Sequence, residues 1–142
     1  MQTNLYGTDE LVEKLLNETS NWAVVGLGAD ESKPAYGVAK ILQQRGKKII
    51  PIHPRAEVVH GENGYRTLTD AIADGHKIDV VDCFVAAKRV GQIVDEAIAL
   101  KLPAVWMQLE IIDEDAAQRA IDAGIDVIMN RCPAIEWRRL GK

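Results

Sequence analysis

Apolar positions along this chain follow two patterns, short continuous runs and stripes that recur with helical spacing. A first helix is predicted over 8–19. Thr8 caps it, Asp9 and Glu10 suit its positive N-terminal end, and Leu11, Val12, Leu15 and Leu16 form one apolar face. The run 22–26, Trp-Ala-Val-Val-Gly, reads as a strand and leads into a loop over 27–33. Ser32 and Pro34 mark the next helix start, Val38, Ile41 and Leu42 supply its buried face, and Gly46 ends it. A second strand over 48–52 stops at His53-Pro54. A short helix over 69–73 precedes a third strand over 78–85. The helix that follows has the clearest period, with Val90, Ile93, Val94, Ala97 and Ile98 on one face. A fourth strand over 104–109, a helix capped by Asp113 and closed by Gly124, a fifth strand over 125–129 and a short helix opened by Pro133 complete the chain.

Five strands alternating with helices imply parallel pairing through right-handed crossovers, hence an α/β, doubly wound, Rossmann-like sheet with helices on both faces. The first, second and fourth runs are nearly all apolar, as strands covered on both faces should be. The third carries Asp79 and Asp82 and the fifth carries Asp126, which suits sheet edges. The strand order 3-2-1-4-5 satisfies both conditions. With 142 residues, the expectation is one domain over 1–142, its nucleotide-binding core over 20–140.

Composition narrows the partners. Seventeen Lys and Arg against 21 Asp and Glu give a formal charge of −4, which argues against a general nucleic-acid binder. No apolar run is long enough to span a bilayer, and the first seven residues lack the basic and apolar regions of a signal peptide. A cytoplasmic location is expected. Two cysteines, Cys83 and Cys132, are too few for a disulfide scaffold or a zinc cage. His53, His60 and His76 are scattered without ligand spacing, so no metal site is expected.

In a doubly wound sheet the ligand sits beyond the carboxyl ends of the strands, at the point where strand order reverses. For the order above, that point lies between strands one and four. The strand ends deliver Gly26-Leu27-Gly28, His53-Pro54-Arg55, Phe84-Val85, Gln108-Leu109-Glu110 and Asn130-Arg131-Cys132. Gly26 and Gly28 let the backbone turn tightly and approach a phosphate, the next helix offers free N–H groups, and Lys33 adds charge. An NAD fingerprint is incomplete, because the third glycine position falls on Glu31 and strand two ends without an acidic residue. A cation there, Arg55, suits a phosphorylated ribose instead. Coenzyme A and NADP both carry one, and the residues alone leave both in play.

The run Ala23-Val24-Val25-Gly26-Leu27 followed by Lys33-Pro34 and Tyr36 resembles the opening of the small stand-alone CoA-binding proteins. Ile50-Pro51-Ile52-His53-Pro54, Gly61 before Tyr65, Val80 to Phe84, Val105 to Leu109 and Asn130-Arg131-Cys132-Pro133 extend the resemblance over about residues 20–140. That family is similar in fold to the CoA-binding domain of the succinyl-CoA synthetase α subunit. The resemblance implies that the Gly26–Gly28 turn and Lys33 meet the CoA phosphates. It also implies that His53-Pro54-Arg55 lies near the 3′-phosphate and that Phe84-Val85 borders the adenine. Ala35, Gly37 and His53 depart from the family's usual Ser, bulkier residue and Asn.

The chain offers no triad and no paired carboxylates. His53 lacks an evident carboxylate partner for general-base work. Cys132, beside Arg131 at a helix start, is placed where its thiol pKa should fall, which makes exchange with the CoA sulfhydryl conceivable chemistry. Trp106 and Gln108 share a sheet face, the first as core and the second toward ligand. The expectation is therefore a module that binds coenzyme A or an acyl-CoA through its first βα turn. It would act without catalysis as a sensor, carrier or accessory, alone, as a homo-oligomer or with a protein partner. A small NADP-dependent oxidoreductase is the alternative.

Overall fold

The computed structural model describes residues 2–141, so Met1 and Lys142, the two ends of the expected domain, lie outside it. Local signals start most of the helices. Thr8 caps α1 (Asp9–Glu18), accepting the Leu11 N–H at 3.2 Å, and Asp113 caps α5 (Glu114–Asp122) through the Ala116 N–H at 3.0 Å. Thr67 does the same for α3 (Leu68–Ala73). Pro34 opens α2 (Pro34–Gln44) and Pro133 opens α6 (Pro133–Arg139), where a missing N–H costs nothing. Ser32 is not a cap: its N–H and hydroxyl both turn back to Asp30, and Lys33 holds the N-cap position of α2. The long apolar stripe forms α4 (Ala87–Ala99).

The strands β1 (Asn21–Val25), β2 (Lys48–Ile52), β3 (Val80–Cys83), β4 (Ala104–Met107) and β5 (Asp126–Ile128) pair in parallel throughout. Alternate residues feed two cores. Ala23, Val25, Ile50, Val81, Val105 and Val127 face α3, α4 and α5. Trp22, Val24, Ile49, Val80, Trp106 and Ile128 face α1, α2 and α6, with the two indoles 5.5 Å apart between ring centroids. The fold class is the doubly wound, five-stranded α/β sheet expected from the alternation. No helix among the described residues is long and apolar enough to cross a membrane.

The strand order corrects the sequence reading. It is β2-β1-β3-β4-β5, not 3-2-1-4-5. β5 is an edge as expected, but β3 is central and β2 takes the other edge. Two facts explain this. Asp79 lies before β3 and accepts the Ser20 and Asn21 N–H groups at 2.9 and 2.8 Å, while Asp82 is fully buried and bonded to Gln108. Neither carboxylate therefore marks an edge. The edge signal was Pro51, which has no N–H to give a second neighbour. Its carbonyl faces away from β1 and accepts the Tyr65 N–H at 2.9 Å. The reversal of strand order accordingly lies between β1 and β3 rather than between strands one and four.

Candidate functional site

At the β1/β3 reversal the two chains leave the sheet in opposite directions, β1 into α2 and β3 into α4, and a crevice opens between them. Gly26 makes the separation possible. Its φ is +95°, its N–H donates to the Ile52 carbonyl at 2.7 Å, and a Cβ there would lie 2.3 Å from the Phe84 carbonyl oxygen. Gly28 is bare for another reason. A Cβ would come within 3.1 Å of Glu57 Oε1 and 3.2 Å of His53 Cδ2, two side chains that the loop after β2 folds against the turn.

The crevice holds a cavity of about 950 Å³, large enough for a nucleotide-sized ligand. Four cations line it: Lys33, Arg55, Arg66 and Arg89. None of the four forms an ion pair among the described residues. The helix ends add to this positive field. Among the described helices, only α2 and α4 have neither a side-chain cap nor an acidic residue in the first turn. Those two begin at the crevice, so their N–H groups and dipoles are directed at whatever it binds.

The carboxylates in the cavity are each held by a neighbouring donor. Asp30 accepts the Ser32 hydroxyl at 2.6 Å and its N–H at 3.0 Å, which, with the charges of Lys33 and Arg55, hold its carboxyl below the usual range. Glu57 Oε1 accepts the Ala29 N–H at 3.1 Å, and Glu96 Oε2 accepts the Thr69 hydroxyl and N–H at 2.7 and 3.1 Å. His53 Nδ1 accepts the Arg55 N–H at 3.1 Å, which leaves Nε2 to carry the proton of the neutral ring, beside Gly28. On the wall, Gln108 Nε2 donates to Asp82 Oδ1.

Nine of the residues singled out from the sequence meet in this cavity: Gly26, Gly28, Lys33, His53, Pro54, Arg55, Phe84, Val85 and Gln108. Five do not line it. Leu27 is buried in the core beside α2, and Tyr36 stacks on His60 at 4.2 Å between ring centroids. Asn130 accepts the Glu110 N–H at 2.7 Å, and Arg131 spends its guanidinium on the Tyr6 and Gly7 carbonyls and Glu136. Cys132 is buried at the N-cap of α6. The last three follow β5, which is an edge strand two places from the reversal. Burial pushes the Cys132 thiol pKa up, overriding the Ile135 and Ala134 N–H groups, so the expected activation of this thiol does not occur.

Arg66, Arg89, Glu57 and Glu96 escaped the sequence reading. One signal was legible: Lys88 and Arg89 stand in the first turn of α4, where a helix dipole disfavours cations, and no carboxylate accompanies them. Such a helix start is suited to an external anion.

The CoA binding domain family matches residues 20–138 of this sequence. The chain belongs to that family. Among solved structures, this CoA-binding domain is similar to a protein of Pyrococcus horikoshii OT3, 30% identical, with full coverage of both chains and a TM-score of 0.89. It is 28% identical to YneT of Bacillus subtilis over 121 residues, covering 85% of this chain and 87% of YneT. It also resembles an acetyl-coenzyme A synthetase of Ca. Korarchaeum cryptofilum, 26% identical with a TM-score of 0.68. That match covers 82% of this chain and 27% of the synthetase.

Proposed function

We propose that the protein binds coenzyme A or an acyl-CoA in the β1/β3 crevice and serves as a non-catalytic sensor, carrier or accessory module. The observation that carries this reading is the convergence on one cavity of two uncapped helix starts and four cations that form no ion pair among the described residues. Coenzyme A has a diphosphate and a separate 3′-phosphate, so it matches a cavity with cations from three different segments. Family membership supports the same ligand.

In this reading the Gly26–Gly28 turn, the α2 N-terminus and Lys33 receive the diphosphate, and His53, Pro54 and Arg55 flank the 3′-phosphate. Phe84 and Val85 border the adenine, and Gln108 offers its amide from the wall. The engaged state of two of the cavity's acids supports the absence of catalysis: Asp30 and Glu96 each already accept two hydrogen bonds from a neighbour. The named activity of the Korarchaeum enzyme makes supply of CoA to a partner protein a natural role for a carrier.

Thermal shift with CoA, acetyl-CoA, dephospho-CoA and NADP tests the proposal. A ligand at about 100 times its Kd stabilises by about 2.7 kcal/mol, roughly 8 °C in Tm for a chain of this size. CoA and acetyl-CoA are expected to give such a shift. Stabilisation by NADP with none by CoA would overturn the reading.

A further inference from the structure

Glu57 reaches the first βα turn from an unexpected direction. Strand β2 runs out into His53-Pro54-Arg55, with no acid at the place where dinucleotide sites carry one for a ribose hydroxyl. The loop after β2 supplies the missing carboxylate. Its backbone is pinned: Val59 is buried in the core beside α2, and Gly64 packs so tightly on the Glu57 carbonyl that a Cβ there would lie 2.3 Å from the oxygen. Ala56 takes a left-handed φ of 49° and turns the chain back toward the cavity. The Glu57 side chain then lies on the bare Gly28 with Oε1 on the Ala29 N–H. That single bond uses little of a carboxylate's accepting capacity, since an ionised carboxylate has about four lone-pair sites. Glu57 also lines the cavity together with Arg55, two residues before it.

We propose that Glu57 is a specificity-determining residue that accepts the ribose 2′-hydroxyl of the ligand, with Arg55 receiving the neighbouring 3′-phosphate. This rests on the coenzyme A reading above and extends it. A carboxylate needs a donor, so a free hydroxyl is attracted and a phosphate is repelled. A cation next to it has the opposite preference. The pair therefore selects a ribose with a free 2′-hydroxyl and a 3′-phosphate, and rejects the isomer with the phosphate at the 2′ position. The sequence alone left those two ribose patterns equivalent. The loop-borne carboxylate separates them.

The test uses two nucleotide isomers, adenosine 3′,5′-bisphosphate and adenosine 2′,5′-bisphosphate, titrated into the full chain alongside CoA. The wild type is expected to prefer the 3′,5′ isomer by about tenfold or more, the effect of one hydrogen bond to a charged acceptor. In Glu57→Gln the preference should shrink by about tenfold, through weaker binding of the 3′,5′ isomer and stronger binding of the 2′,5′ isomer. Glutamine is nearly isosteric and keeps an oxygen for the Ala29 N–H. The ratio of affinities is measured within one protein sample, so it does not depend on how stable the variant is. An unchanged ratio would overturn the proposal, and so would equal tightening for both isomers, which would make Glu57 a simple competing anion. If wild type binds the 3′,5′ isomer and CoA but the ratio does not move, only the role of Glu57 fails. If wild type binds neither, the coenzyme A reading fails with it.

Discussion

Gln108 Nε2 donates to Asp82 Oδ1 at 2.5 Å, tying the wall of the cavity to a carboxyl buried in the centre of the sheet. Asp82 Oδ2 has no hydrogen-bond partner among the described residues. Burial pushes the Asp82 carboxyl up to about 8, only partly opposed by the Gln108 amide, so at neutral pH the folded protein holds mostly the neutral acid.

That proton carries a stability cost at higher pH. In the unfolded chain Asp82 ionises near 3.8, and the folded chain retains its proton until about 8. The folded state thus binds more protons across this window, so stability falls as pH rises from about 4 through 8 and levels off above it. Urea unfolding at pH 5 and pH 9 is expected to show wild type losing about 4 kcal/mol from this group, about 1.4 kcal/mol for each pH unit between 5 and 8. Asp82→Asn keeps an oxygen for Gln108 and cannot ionise, so this part of the pH dependence should vanish. Parallel pH profiles for the two proteins would refute the assignment.

The two glycines of the turn are expected to respond differently to alanine. At Gly26 the positive φ and the 2.3 Å approach to the Phe84 carbonyl involve backbone on both sides, so Gly26→Ala should cost about 3 kcal/mol or more of stability. At Gly28 the approaches are 3.1–3.3 Å, and the atoms belong to the movable side chains of Glu57 and His53. Gly28→Ala should remain within about 1 kcal/mol of wild type while weakening CoA binding. Thermal melts and titration of each variant separate the two outcomes.

Local chemistry was the legible part of this sequence. The caps at Thr8 and Asp113, Pro34 and Pro133 at helix starts, and the stripe of α4 all act through neighbours a few residues away. Strand order was not legible from the same cues, because an Asp in a strand reads as solvated until its partner is known. For Asp82 that partner is Gln108, 26 residues on. Pro51, which lacks the N–H a central strand gives its second neighbour, is the local residue that fits the observed edge. The glycine turn and Arg55 were legible because strand ends converge in any doubly wound sheet. Glu57 and Arg66 were not, since the path of the loop after β2 places them.

Arg55 lines the cavity with no ion pair among the described residues, so its charge is available to a ligand. If it receives the 3′-phosphate, Arg55→Ala should weaken CoA about tenfold or more, the loss of a charge-assisted contact. Dephospho-CoA, which lacks that phosphate, should bind the variant and the wild type alike. Calorimetric titration of both ligands provides the comparison. Equal losses for both would move Arg55 to the diphosphate.

The two thiols are expected to be inert while the chain is folded. Cys83 is fully buried in β3, and both burial and the neighbouring Asp82 raise its pKa. For Cys132 burial again leads, with Asp82 adding to it, and the α6 N–H groups and Arg138 do not overcome them. Arg131, the nearest cation in sequence, turns its guanidinium to the Tyr6 and Gly7 carbonyls and Glu136. A thiol held in its protonated form is a poor nucleophile toward a disulfide. Incubation of the native protein with CoA disulfide at pH 7.5 should therefore leave the intact mass unchanged, whereas addition of denaturant should allow both cysteines to react. A rapid native adduct that disappears in Cys132→Ser would show that the thiol is reached and activated, and would reopen exchange with the CoA sulfhydryl as chemistry of this protein.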